Sequence, residues 1–375
     1  MKKTIISAVL LFALTLQGFC APAFDVEANY ACLMEQTTGK VLFEKNMHER
    51  LAPASVTKIM TMLLVMEAID EGRISFNDEV TVSAYASQMG GTQVYLSPGE
   101  VMSVNDLLKS VAVASANDAS VALAEFLCGT EESFAGVMNE RAKQLGMNDT
   151  NFVNCTGFDA PNHLTSPYDI ALMSRELLKH SKIIEFTTIW MDTIRNGEFG
   201  LSNTNRLIKS YNGITGLKTG STSIAKNCLS ATATRDGLSL IAVDMACPTT
   251  DIRFKSASSL LDYGFGNFLI KTAEAIQIPN IEILNGKEKS LSLVPPQMEG
   301  ILLEKKDAKE ITTQLELPQK ISAPVKEGQT IGFVKVYLGN EEIKKIPVLA
   351  TKNVEKKTYF DVAKHLLCKL FGIKN

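Results

Sequence analysis

Two side chains in the run Pro53-Ala54-Ser55-Val56-Thr57-Lys58 are of types that do acyl chemistry together. Ser55 and Lys58 are three residues apart, a spacing that brings side chains to one face of a helix. A hydroxyl fixed beside an amine is a nucleophile with its own base. That amine must be neutral, and a free lysine, with a pKa of about 10.4, is neutral in only about one molecule in a few thousand at pH 7. Burial and a nearby second cation each favour the neutral amine. The apolar residues Ile59, Met62, Leu63 and Met66 follow at helical spacing, so the helix is expected to sink into a core and carry Lys58 with it. The pair is not distinctive alone. Ser223-Ile224-Ala225-Lys226 repeats the spacing, and a helix start with an incidental lysine accounts for either stretch.

Two further short runs stand in order behind the first: Ser115-Ala116-Asn117 and Lys218-Thr219-Gly220. Ser-x-Asn also occurs at Ser75, Ser103 and Ser210, whereas Lys-Thr-Gly occurs once. Taken singly, Ser115 reads as a helix cap, Asn117 as a loop residue and Lys218 as a solvated strand-end lysine. Their order and settings are more specific. The first opens an apolar helix, the second sits in a small-residue loop between helices, and the third opens an edge strand ahead of a hairpin.

The elements that must position these groups follow from local pattern. Asn29 to Met34 and Val41 to Glu44 read as strands around the turn Thr37-Thr38-Gly39-Lys40. The Ser55 helix ends near Gly72, and residues 73 to 102 are loop-rich. Ser103, with Asp106 three residues on, is a helix N-cap. Helices are also expected at Ala119 to Leu127, at Glu131 to Leu145 and after Ser166-Pro167, where proline suits the first turn. A polar stretch runs from Asn196 to Asn212. Cys228 to Thr234 and Leu238 to Ala246 read as a hairpin turning at Arg235-Asp236-Gly237, and Thr249 or Thr250 caps a helix to about Tyr263. From about 275 to 350 helical period disappears between six prolines, which predicts a small all-β domain.

The ends point to export. Lys2 and Lys3 precede an uncharged apolar run, Thr4 to Leu16, and Ala21-Pro22-Ala23 supplies small residues for cleavage, so residues 1–23 read as a signal peptide. At the other end, 356–375 reads as a basic amphipathic helix with Tyr359, Phe360, Ala363, Leu366, Leu367, Leu370 and Phe371 on one stripe. Such a helix suits a membrane interface; docking on its own β domain is the alternative. With 375 residues, 45% apolar and 21% charged, the chain is globular and long enough for two domains. A net charge of -3 argues against nucleic acid. The four histidines have no metal-ligand spacing and no glycine-rich phosphate loop is present, so no metal or cofactor is expected. Six cysteines remain after Cys20, irregularly spaced. They read as mostly buried thiols, with one disulfide possible and Cys228 and Cys247 diagonal across the hairpin.

The three runs in this order resemble the motif set of penicillin-binding proteins and class A β-lactamases. More closely, the chain resembles the low-molecular-mass D-alanyl-D-alanine carboxypeptidases of the S11 serine peptidase family. Phe152-Val153-Asn154-Cys155-Thr156-Gly157-Phe158, Arg253 and Leu260-Leu261-Asp262-Tyr263-Gly264-Phe265 also look like that family. The resemblance implies an α/β (α+β) transpeptidase/β-lactamase-like catalytic domain at 24–270, a β-rich C-terminal domain at 275–350 and a terminal membrane-associating helix. Ala116 stands where the family more often has Gly, and Ser221 where it often has His.

What the resemblance implies for chemistry is a serine-type D-Ala-D-Ala carboxypeptidase acting on peptidoglycan stem peptides at the outer face of the bacterial cytoplasmic membrane, with β-lactams as inhibitors. Ser55 would form the acyl-enzyme with Lys58 as base, and Lys218 would be the second cation. Ser115 would relay a proton to the leaving amine, and Asn117 would hold the substrate amide and fix Lys58. Lys218, Thr219 and Ser221 would bind the substrate carboxylate, with Gly220 letting it lie close. Backbone N–H groups of Ser55 and Ser221 would form the oxyanion hole.

A β-lactamase on the same fold would need a deacylation base, typically in Glu-x-x-Leu-Asn between the second and third motifs. Residues 146 to 180 hold Asp149, Asp159, Asp169 and Glu176 but no such run, and Glu282-Ile283-Leu284-Asn285 is one residue short and lies after Lys218. A non-catalytic cell-wall scaffold is the rival from another class. Endopeptidase and carboxypeptidase chemistry use the same residues and stay open at this point.

Overall fold

The structure, a computed structural model, describes residues 24–363 except 274–275, 295, 297–299 and 309. The expected signal peptide, Cys20, Cys368 and the helix beyond residue 363 lie outside the described residues.

Five antiparallel strands form the central sheet: β1 (Tyr30–Glu35), β2 (Val41–Lys45), β3 (Ile214–Thr222), β4 (Lys226–Arg235) and β5 (Leu238–Cys247). Their order is β2-β1-β5-β4-β3, so β3 is an edge. The β4–β5 turn follows from Asp236-Gly237, both with positive φ, as a two-residue hairpin turn requires. Lys-Thr-Gly falls in the middle of β3, which begins at Ile214, rather than opening the strand.

Side chains alternate across the inner strands and both faces are covered. On one face Leu33, Leu229, Ala231 and Leu240 pack under helix α6 (Thr250–Asn267) with Leu260 and Leu261. On the other, Cys32, Met34, Ile241 and Val243 meet the helical half of the domain. Thr249 caps α6 by accepting from the Ile252 N–H at 3.2 Å. The helix passes Tyr263 and runs to Asn267, because Gly264 lies flat on the sheet, where a Cβ would stand 2.5 Å from Leu240. Close packing there outweighs the poor helix propensity of glycine.

The helical half holds α1 (Lys58–Asp70), α2 (Val104–Lys109), α3 (Asn117–Cys128), α4 (Glu131–Gln144) and α5 (Pro167–Leu177). The expected stripe on α1 understates its burial, since Met60, Thr61, Leu64 and Val65 are buried as well. A helix apolar on all sides belongs in a core, and each fully buried Leu, Ile or Met there contributes about 1.5–3 kcal/mol. Ser103 caps α2, its Oγ accepting from the Asp106 N–H at 3.1 Å, as the sequence predicts.

After residue 267 the described structure is β-rich. Ser290–Leu291, Ile281–Leu284 and Lys320–Ser322 make one sheet; Leu293–Val294, Glu341–Ala350, Thr330–Leu338 and Ile311–Glu316 make another. Their inward residues, including Ile281, Ile283, Leu291, Val334 and Val348, share a separate core. The five described cysteines are all free thiols. Cys228 and Cys247 are diagonal as expected, Cys247 pairing with Asn227 beside a bulge.

Candidate active site

Ser55 does not stand on an α-helix, as its spacing from Lys58 predicts, but in the 3-10 turn Ala54–Thr57 that feeds α1. The approach is strained, with Ala54 at φ 50. The turn still brings the pair together: the Lys58 Nζ donates to Ser55 Oγ at 3.1 Å. It also donates to Asn117 Oδ1 at 2.6 Å and to the Thr156 carbonyl at 2.5 Å. Lys58 is fully buried, and burial lowers its pKa to about 7, against opposing pulls from Cys155, Asp118 and Glu131. Close to half the molecules therefore hold a neutral amine beside the hydroxyl at pH 7.

The second motif is shaped by an irregularity in its helix. Beyond α2 the chain widens into a π-turn, Ser110–Ala114, and ends with Ser115 in the left-handed region at φ 66. Single π-turns inside helices often mark functional sites. Asn117 then opens α3. Its Oδ1 receives Lys58, its Nδ2 donates to the Gly90 carbonyl at 2.8 Å, and its N–H donates to the Thr92 carbonyl at 2.7 Å. Gly91 has to be glycine, with φ at 74 and a Cβ position 2.8 Å from the Asn117 Nδ2. Ser115 is buried near this cluster.

The third motif lies along edge strand β3. A Cβ on Gly220 would stand 2.9 Å from the Ser55 nitrogen, so the strand backbone runs directly against the backbone of the nucleophile turn. Lys218 is buried, its Nζ donating to the Thr219 carbonyl at 3.0 Å. Burial, then the charges of Lys58 and Arg253, hold its pKa well below the ordinary lysine value. The expected push of Lys218 on Lys58 therefore falls mainly on Lys218, and burial sets Lys58. The Thr219 hydroxyl donates to Thr204 Oγ1 at 2.6 Å. Ser221 is exposed, and its hydroxyl donates to Asn227 Oδ1 at 3.4 Å. Arg253, buried and over the Phe254 ring at 4.6 Å, donates to the Gly220 carbonyl at 3.2 Å.

Several further groups support the site, of which only Thr156 and Gly157 lie in a run that the sequence singles out. The Thr156 carbonyl accepts from Lys58 beside Gly157, which lies against the backbone of Ala54 and Ser55 where no Cβ fits. His163 is buried, accepts from the Val153 N–H on Nδ1 at 2.8 Å and meets Thr57 Oγ1 with Nε2 at 2.9 Å. Burial lowers its pKa to about 4, so it is neutral, and the bond from Val153 places its proton on Nε2. Asp118 is fully buried, accepting from the N–H groups of Val94 and Leu96 and so holding the loop that carries Gly91. Thr204 hides in the polar stretch, readable only once Thr219 is beside it.

A buried, half-neutral amine touching a hydroxyl, with oriented backbone beside it, can carry out acyl transfer through serine. Among the described residues no group of three or more metal-ligating side chains is present.

Comparison with known proteins agrees with this arrangement. The family described as D-alanyl-D-alanine carboxypeptidase, peptidase S11, matches residues 17–249, and the penicillin-binding protein 5 C-terminal domain family matches residues 271–356. The D-alanyl-D-alanine carboxypeptidase DacF of Bacillus subtilis is 41% identical over 349 residues, 91% of this chain and 89% of that protein. DacC of Escherichia coli, also a D-alanyl-D-alanine carboxypeptidase by name, is 33% identical over 91% of this chain and 87% of its own length. Among solved structures, penicillin-binding protein 5 of Haemophilus influenzae superposes with a TM-score of 0.73 at 30% identity, covering 89% of this chain and 99% of that one.

Proposed function

Since the chain belongs to the S11 D-alanyl-D-alanine carboxypeptidase family, we propose that it removes the terminal D-alanine from peptidoglycan stem pentapeptides through an acyl-enzyme on Ser55. The observation that carries this reading is the buried Lys58 amine, 3.1 Å from Ser55 Oγ with a pKa lowered to about 7. Neutral Lys58 takes the Ser55 proton as Oγ attacks the carbonyl of the penultimate D-alanine. Charge then builds on the carbonyl oxygen, for which the Ser55 and Ser221 N–H groups are the donors. Ser115 gives its proton to the departing amine and takes the one held by Lys58, the C–N bond breaks, D-alanine leaves, and Lys58 is neutral again. Water attacks the ester with Lys58 again accepting a proton, and Ser55 is regenerated.

Asn117 holds Lys58 and presents its remaining amide proton to the substrate backbone. Lys218 and Thr219 receive the terminal carboxylate, whose arrival offsets the cost of charging a buried lysine. Ser221 contributes at the exposed end of the same strand, and Gly220, expected to let the substrate lie close, instead lets the strand lie against the Ser55 turn, where a Cβ would meet Ser55, Ala54 and Pro53.

The same reading covers location and organisation. Residues 1–23 serve as an export signal, 24–270 as the catalytic domain and 275–350 as a β-rich module. Lys356 is bridged to Gly286 and the described helix starts only at Tyr359, later than the expected 356; the stretch from Tyr359 onward rests on the outer face of the cytoplasmic membrane. Tyr359 and Phe360, the described start of that helix, are 97% and 88% exposed, which suits an interfacial role. Among the described residues no helix is long and apolar enough to cross a membrane. β-Lactams, which present a strained amide and a carboxylate, acylate Ser55.

The test is release of D-alanine from diacetyl-L-Lys-D-Ala-D-Ala by the full-length protein, with and without penicillin, beside Ser55→Ala. Release that needs Ser55 and is blocked by penicillin supports the proposal. Stable penicillin labelling of Ser55 without release would move the substrate to a cross-linked peptide. Absence of both would leave a scaffold role.

A further inference from the structure

Thr204 is an exposed residue between two buried ones, Asn203 and Asn205. Both asparagines are fully committed to the backbone. Asn203 donates to the Ile189 carbonyl at 2.7 Å and accepts from the Asn205 N–H at 2.9 Å. Asn205 donates to the Gly216 carbonyl at 3.1 Å and accepts from the Leu207 N–H at 3.1 Å. Buried amides with both ends bonded to main chain fix a segment rigidly. What they hold in place is the Thr204 hydroxyl, 2.6 Å from that of Thr219. The Thr204 N–H also donates to the Val113 carbonyl at 3.4 Å, two residues before Ser115. One exposed threonine is thus tied to both the Ser-Ala-Asn segment and the Lys-Thr-Gly strand.

Hydrogen-bond direction adds to this. The Thr219 hydroxyl donates to Thr204, so Thr204 already accepts and its own proton is left to point outward. The outward Thr204 proton and the amine of Lys218, the residue next to Thr219 on the strand, are two donors for an anion with two oxygens. A carboxylate can take one donor on each oxygen, whereas a carboxamide turns its NH₂ group toward a donor.

We propose that Thr204 is a specificity-determining residue for the free C-terminal carboxylate of the substrate, donating to one carboxylate oxygen while the Lys218 amine serves the other and Thr219 orients the Thr204 hydroxyl. The inference rests on the carboxypeptidase reading and adds a residue to its carboxylate subsite.

The experiment compares diacetyl-L-Lys-D-Ala-D-Ala with its C-terminal amide on full-length wild type, Thr204→Val and Thr204→Ser. Valine keeps the branched shape at an exposed position and removes only the hydroxyl. Loss of a hydrogen bond to a charged group predicts that Thr204→Val raises KM for the carboxylate substrate about ten- to a hundredfold. Its KM for the amide stays within about twofold, and Thr204→Ser recovers the wild-type preference. An unchanged carboxylate-to-amide ratio in Thr204→Val overturns the inference, and so do equal losses on both substrates, which mark a merely structural role. If wild type itself releases neither D-alanine from the carboxylate substrate nor D-alaninamide from its amide, the carboxypeptidase reading fails first and takes this inference with it.

Discussion

Gly157 lies so close to Ala54 that a Cβ on it would stand 1.9 Å from the Ala54 carbonyl oxygen and 2.8 Å from the Ser55 nitrogen. Two segments a hundred residues apart are pressed backbone to backbone at the nucleophile. Gly157 also has φ 87, a conformation costing other residues about 1–3 kcal/mol. Gly157→Ala must push the Ser55 turn away from the loop that supplies the Thr156 carbonyl. The expected result is at least about a hundredfold loss in penicillin acylation of Ser55, since small misplacements cost that much. Stability should fall by more than about 2 kcal/mol in urea unfolding. An alanine variant with wild-type acylation would show that the turn and loop yield independently.

Acylation should report the titration of Lys58. A base works only when unprotonated, and burial places this amine at about 7. Below that pH the second-order rate of Ser55 acylation is expected to fall about tenfold per pH unit, and above it to level off. Stopped acylation with a labelled penicillin across pH 5 to 9 measures this directly. A flat profile through pH 6 would remove Lys58 from the role of base.

The same burial makes Lys58 a liability for stability. Its folded pKa of about 7 lies below its unfolded value of 10.5, so the unfolded chain holds more protons between them. Stability from this group therefore rises with pH across that window, and at pH 7 the penalty is about 4 kcal/mol. Lys58→Met removes the penalty but leaves Asn117 Oδ1 and the Thr156 carbonyl without their donor, at about 1 kcal/mol or more each. The net expectation is an inactive protein more stable by about 2 kcal/mol at pH 7, with the gain shrinking toward pH 10. Thermal unfolding at both pH values checks the sign and the trend.

The candidate site was legible because the chemistry proposed for it is written in residue type and order: Ser55, Lys58 and Asn117 meet as their motifs imply, with Lys218 buried on the adjoining strand. Strand and helix placement was legible wherever apolar period or caps were strong, as at Ser103 and Asp236-Gly237. What stayed hidden depends on close approach. A 3-10 turn at Ser55 has the same three-residue return as an α-helix, so spacing does not separate them. The helix expected to end at about Tyr263 runs on through Gly264, whose packing against Leu240 is not local information. Thr204 and His163 act through partners far along the chain, and a single threonine or histidine carries no such mark. The acidic residues of 146 to 180 offered four candidate bases, and only their partners sort them.

Those partners lead to the last expectation, a penicilloyl adduct that persists. Fast hydrolysis of a serine ester needs a carboxylate free to activate water, and each acid in this loop is engaged elsewhere. Asp149 Oδ2 meets His48 Nδ1 at 2.9 Å and accepts from Ser166. Asp169 accepts from the Asp149 N–H and the Thr150 hydroxyl, and burial raises its pKa to about 6. Glu176 is bound by Arg141 at 2.9 Å and by Lys179. Asp159 comes nearest to the strand, but its Oδ1 accepts from the Thr222 hydroxyl at 2.8 Å. Ester hydrolysis thus falls to Lys58, which in the penicilloyl enzyme has the leaving nitrogen still tethered beside it. Mass spectrometry should show Ser55 carrying the adduct for many minutes after free penicillin is removed. Rapid nitrocefin turnover with no adduct would mean that one of these carboxylates leaves its partner, and Asp159→Asn, which keeps an acceptor for Thr222, would then abolish that turnover.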